Sequence, residues 1–212
     1  MSPPHVPRTA SVGIVACGAL AREIRAVIAA NRFAHVTVRY LPAKLHNSPA
    51  HIPAALDEVL GEMARECTTL FAAYGDCGTA GGIDRVLKKH GATRLAGAHC
   101  YEFFAGSDMF NALHDAEPGT FYLTDYLTRQ FDTLVYKPLG LDRHPELRDA
   151  YFGNYTRLLY LAQSTDAKLE EKARRAADRL GLRFEMINTG LATLEAALFR
   201  LNSPSPQLKE QV

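Results

Sequence analysis

The chain has 212 residues, 47% of them hydrophobic, enough to bury a large core as one big domain or as two small lobes. Its 24 Lys and Arg balance 23 Asp and Glu, which excludes the electrostatic footprint of a protein that binds nucleic acid or an anionic membrane. No apolar run approaches the roughly 18 residues of a membrane span, and residues 1–7 lack the apolar stretch of a signal peptide, so a cytoplasmic protein is expected.

Residues 1–10 read as a disordered arm. Residues 11–16 form a first strand, followed by a helix over 19–30 whose apolar face carries Leu20, Ile24, Val27 and Ile28. Residues 35–41 alternate as a second strand that Pro42 closes, and the next loop places His46 beyond its carboxyl end. A second helix runs to about Glu66, with Pro53 in its first turn. Residues 68–73 are an apolar third strand, followed by the glycine-dense loop 74–82 and a helix over 83–89 stopped by His90-Gly91. A fourth strand over 93–97 leads into His99-Cys100, two short helices cover 101–104 and 107–114, and 119–123 is a fifth strand.

Residues 126–156 read as a polar, aromatic connection or lid. The alternation then resumes: strand 157–162, a helix from Thr165 or Asp166 to Leu180, strand 183–187 and helix 191–201, with residues 203–212 as a disordered tail. The expected fold class is α/β and Rossmann-like, with mostly parallel strands flanked by helices. One α/β unit spans 11–125 and carries the cysteine site. A second, βαβα, spans 157–202 and either extends the first sheet or forms its own lobe.

Three of the four cysteines, Cys17, Cys77 and Cys100, follow strands, and open α/β sheets hold their chemistry at strand carboxyl ends. Thiolates with a histidine suit zinc, so Cys17, Cys77 and Cys100 with His46 or His99 make a candidate metal site. No C-x-x-C pair occurs, which excludes a zinc finger or ribbon and rests the site on topology. The same three cysteines also describe an iron–sulfur cluster with an open position. Equally, Cys77 reads as a metal-free nucleophile with His99 as its base, or all three as small hydrophobes packed in the core. Cys67, at a helix end, reads as a packing residue. Gly75, Gly78 and Gly81 are spaced unlike either common nucleotide loop, yet their N–H groups could cradle a small anion or cofactor. His144 is a candidate for substrate contact, with Asp142 and Glu146 close by as acid or base.

The blocks Ala16-Cys17-Gly18-Ala19-Leu20 with Glu23, Leu45-His46-Asn47 with Pro49, Tyr74-Gly75-Asp76-Cys77-Gly78, His99-Cys100-Tyr101-Glu102 with Gly106, and 118–124 occur in this order. Together they resemble a prokaryotic family catalogued as a domain of unknown function, over residues 11 to 202. Some members of that family are found beside corrinoid-dependent methyltransferases of one-carbon metabolism. Many relatives carry His-Asp-Cys in the fourth block, where this chain has His99-Cys100 with nothing between, and this favours His46 as the fourth ligand. Glu102, within that block, joins His144 and Asp142 as a candidate catalytic group.

The expectation from residues and resemblance together is a zinc enzyme acting on a small methylated or thiol compound, by methyl transfer. Its partners would be a small-molecule substrate, a corrinoid protein or methyltransferase, and a second copy of itself. The alternatives are an accessory protein that binds metal or corrinoid without catalysis, and an iron–sulfur protein for desulfuration or electron transfer.

Overall fold

The computed structural model describes residues 11–95 and 97–202. The arm at 1–10 and the tail at 203–212 lie outside the described residues. The chain forms two parallel sheets. The first contains β1 (Val12–Cys17), β2 (Val36–Leu41), β3 (Thr69–Ala73) and β4 (Thr93–Arg94) in the order β2-β1-β3-β4. All six residues of β1 are buried, as expected for an inner strand of a parallel sheet covered on both faces.

The helices between these strands follow their apolar spacing. A single 3₁₀ turn after β1 leads into α1 (Ala21–Asn31), which buries Ile24 and Val27. Next, α2 (Ile52–Met63) buries Ile52, Leu56, Leu60 and Met63 at helical intervals. Then α3 (Gly82–His90) ends at Gly91, whose φ of 61° is the left-handed stop that glycine accepts. Cys67 packs in this core against Gly13, where an added Cβ would come within 2.9 Å of its sulfur.

After β4 come two short helices, α4 (Glu102–Ala105) and α5 (Ser107–Ala116), and then β5 (Thr120–Thr124). The fifth strand was expected to finish the first α/β unit. It instead pairs with β6 (Arg157–Ala162), and β7 (Arg183–Asn188) completes a second parallel sheet in the order β5-β6-β7. The boundary between units therefore falls before β5. Specific contacts select this pairing: Thr156 N–H donates to Gly119 O at 2.8 Å, and the Arg157 guanidinium donates to the Thr120 hydroxyl at 3.0 Å.

Residues 126–156, expected to form a connection or lid, belong to the second unit's core. They carry the end of α6 (Asp125–Arg129), a π-helical turn at Asp132–Tyr136 and α7 (Arg148–Phe152), and they bury Phe131, Leu141 and Phe152. The charged helix α8 (Ala167–Leu180) starts at Asp166, whose carboxylate accepts from the N–H groups of Lys168 and Leu169. The last helix, α9 (Ala192–Asn202), returns to the first lobe and inserts Leu194 and Leu198 into its core. There Asn31 donates to Glu195 at 2.8 Å. No helix among the described residues is long and apolar enough to cross a membrane.

Candidate functional site

The carboxyl ends of β1, β3 and β5 face one cleft between the lobes, which holds a cavity of about 240 Å³. Cys17 ends β1 and lines it, as do Tyr74, Cys77 and Gly78 after β3, and Thr124 at the end of β5. His46 reaches it from the 3₁₀ segment after β2, and His99 and Cys100 from the loop after β4. The second lobe adds Tyr126, Leu127 and Leu134. The three cysteines and both candidate histidines thus share one cavity, although they come from four separate strand ends.

Two carboxylates build the loops that carry the sulfurs. In the loop after β3, Asp76 accepts from Gly81 N–H at 2.8 Å, the Thr79 hydroxyl at 3.0 Å and Ala80 N–H at 3.2 Å. Its slight burial raises the Asp76 carboxyl, but those donors and nearby Arg94 outweigh the burial and hold it below the usual carboxylate range. The loop's N–H groups are thereby turned inward, which corrects the reading of Gly81 as part of an anion cradle. Gly81 supplies the left-handed φ of 74° that starts α3, and Gly78 is left-handed too, at 78°. Cys77, directly before Gly78, has φ 51°, a conformation that a side chain rarely adopts. Gly75 serves close approach: a Cβ there would lie 2.8–2.9 Å from the main chain of His99.

The second carboxylate is Glu102, and it is buried. One of its oxygens accepts from the N–H groups of Ala98 and His99 at 2.7 and 3.2 Å, and the other from the Ser107 hydroxyl at 2.6 Å. These bonds explain why β4 ends at Arg94 instead of continuing to residue 97. Gly97 turns the chain at φ 128°, and the next two N–H groups face a carboxylate instead of a strand. Glu102 does not line the cavity, and in this geometry it positions the Cys100 loop.

Cys77 Sγ and Cys100 Sγ are 3.2 Å apart. The hydrogen bond between them holds the Cys77 thiol below its ordinary pKa against the effect of burial. The same bond, with burial, pushes Cys100 well up, so one proton leaves the pair much more readily than the second. Burial also raises Cys17, with the Ala19 N–H opposing it and the neighbouring Cys77 adding to it. Partial burial of its ring and the nearby His99 hold His46 below the usual imidazole value and keep it neutral, although the residue retains an exposed face.

Tyr74 and Tyr101, which the sequence shows only as members of the resembling blocks, are aromatic members of the site. Tyr74 is fully buried, and its hydroxyl lies beside the Cys17 thiol with no hydrogen-bond partner of good geometry. Its position directly before the Gly75-Asp76-Cys77 run was the available signal. Tyr101 packs between lobes against Tyr122 at 5.4 Å. His144 and Asp142, by contrast, are exposed and outside the cavity lining, His144 beside Glu146 at 3.2 Å and Asp142 beside Arg143 at 3.9 Å. Leu141 anchors their segment in the second core and turns the neighbouring polar side chains outward. Among the described residues, no group of three or more His, Cys, Asp or Glu side chains is placed so that it could hold a metal ion.

Comparison with known proteins places the chain in a family without assigning it an activity. No functionally curated protein matches it. A solved structure, the ornithine carbamoyltransferase from Pyrococcus furiosus, is similar at 14% identity with a TM-score of 0.29. That alignment covers 85% of this chain and 55% of the enzyme's, so the chain spans about half the enzyme's length. Residues 40–198, which include His46, Cys77, Cys100 and all of the second lobe, match the family described as "Protein of unknown function (DUF1638)", and the chain belongs to that family.

Proposed function

We propose that the protein is a zinc-dependent enzyme acting on a small methylated or thiol compound, with Cys17, Cys77, Cys100 and His46 as its metal ligands and methyl transfer as its reaction. The observation that carries this reading is the convergence of three thiols on one small cavity, two of them in contact at 3.2 Å.

The donor set fits a soft or borderline ion, being thiols and imidazoles with no carboxylate on the cavity wall. Two thiolates on one tetrahedral ion, at bonds of about 2.3 Å, stand about 3.8 Å apart. Cys77 and Cys100 therefore need to part by roughly 0.6 Å to share an ion. A cubane cluster places each thiolate on a different iron, and sulfurs already touching cannot serve two of its corners. This ranks a single ion above the iron–sulfur alternative. The cavity, at about 240 Å³, lies below the roughly 300–1,000 Å³ of drug-sized pockets, so it suits a small substrate better than a corrinoid ring. That ranks an enzyme above a corrinoid-binding accessory protein; a corrinoid protein remains the proposed donor or acceptor partner, as the family resemblance implies.

When bound, the ion would lower the pKa of a substrate thiol that takes the place of one of these four ligands and so make a thiolate available near neutral pH. The chain's own residues do the rest. Leu20, Ile52 and Phe104 give apolar walls that exclude water from a methyl group. The unpartnered Tyr74 hydroxyl can donate to a heteroatom of the substrate. His46, kept neutral, can ligate without first losing a proton.

Elemental analysis of untagged protein purified without oxygen tests the reading. About one zinc per chain is expected, lost in Cys17→Ser, Cys77→Ser and Cys100→Ser. Full metal retention in all three variants, or a metal-free wild type that is still active, overturns it. A brown protein containing iron would favour the cluster instead.

A further inference from the structure

Backbone contacts, and not side-chain placement alone, bring Cys77 and Cys100 together. Cys77 N–H donates to Ala98 O at 2.8 Å and Asp76 N–H to Gly97 O at 3.1 Å, which joins the two loops side by side. The close approach of Gly75 to His99 and the bonds from Glu102 to the Ala98 and His99 N–H groups hold them there. The 3.2 Å separation of the sulfurs, 23 positions apart in sequence, lies between two bonded states of a thiol pair. One is a disulfide of about 2.05 Å, reached by roughly 1.2 Å of sulfur movement. The other is the pair of ligands on a shared ion, about 3.8 Å apart.

We infer that Cys77 and Cys100 form a reversible disulfide, a modification site whose reactant is a low-molecular-weight disulfide, and that forming it dismantles the thiolate site. The second half rests on the metal reading above; the first does not. One cysteine, as its thiolate, attacks a sulfur of the reactant RS–SR, so that a mixed disulfide forms and RS⁻ leaves. The other loses its proton to solvent and attacks the sulfur of the first, forming the Cys77–Cys100 bond and expelling the second RS⁻. Both thiolates leaving the site take up protons. The protein has lost two electrons and two protons, and RS–SR has become two RSH. Cys17 and His46 remain, too few to hold an ion tightly.

The test treats full-length protein with oxidised glutathione, then maps peptides by mass spectrometry without reduction and measures released zinc with a chromogenic chelator. The expected result is one Cys77–Cys100 linkage, undone by reduced thiol, with zinc released in proportion. In Cys100→Ser the reaction should stop at a glutathione adduct on Cys77. If all four thiols remain open to alkylation after oxidation, or the linkage involves Cys17 or Cys67, the pairing is wrong. Linkage in a protein that held no zinc beforehand supports the pairing and overturns the metal reading. Zinc retained with no linkage does the reverse.

Discussion

Glu102 illustrates how a residue type can name the wrong job. A glutamate beside a candidate His-Cys pair reads as an acid or base, yet its oxygens accept three hydrogen bonds that shape the loop carrying Cys100. Glu102→Ala should cost about 1–3 kcal/mol, because it leaves buried donors unsatisfied. Glu102→Gln, which keeps a carbonyl acceptor, should cost less, and denaturant unfolding of both variants checks the order. Glu23 offers a test with a pH sign. It is buried on α1, one carboxylate oxygen lacks a partner, and burial raises its pKa despite nearby Arg129. An acid with a raised folded pKa contributes most below its unfolded value of about 4.3, and that contribution is lost as pH rises through the folded value. Glu23→Gln should therefore be more stable than wild type by on the order of 1 kcal/mol at pH 8, with the gain vanishing near pH 4. A gain equal at both pH values would contradict the burial argument.

At the scale of elements, the loop after β3 is a short rigid device organised by Asp76. Removing the carboxylate in Asp76→Ala should speed amide exchange at Ala80 and Gly81, while the strands keep their protection. Its depressed pKa gives acid the same effect: the Asp76 contribution is complete above the unfolded value near pH 4 and is lost as pH falls through the folded value. Much of this level was legible in the sequence. The apolar runs of β1, β3 and β6, the helical spacing of Ile52, Leu56 and Leu60, and the Gly91 and Gly181 stops each depend on neighbours a few positions away. The end of β4 was not legible. Its early stop depends on a carboxylate eight residues later folding back over Ala98 and His99.

At the scale of the whole molecule, α9 ties the lobes together by returning to the first core. Leu198 is almost fully buried there, and Leu198→Ala should cost about 2–5 kcal/mol while wild type and variant both unfold in one transition. Two separate transitions would mean that the lobes fold independently. The sequence by itself determined the α/β class, the order of the elements and the placement of Cys17, Cys77, Cys100 and His46 at strand ends, because periodicity and turn chemistry are local. Only the tertiary structure decided that β5 joins β6, that two sheets turn their carboxyl ends toward one cleft, and that Tyr74 enters the site while His144 and Asp142 stay outside. Those outcomes rest on contacts such as Thr120 with Arg157 and Leu198 with the first core, between residues far apart in the chain, and no local pattern encodes which distant partner wins.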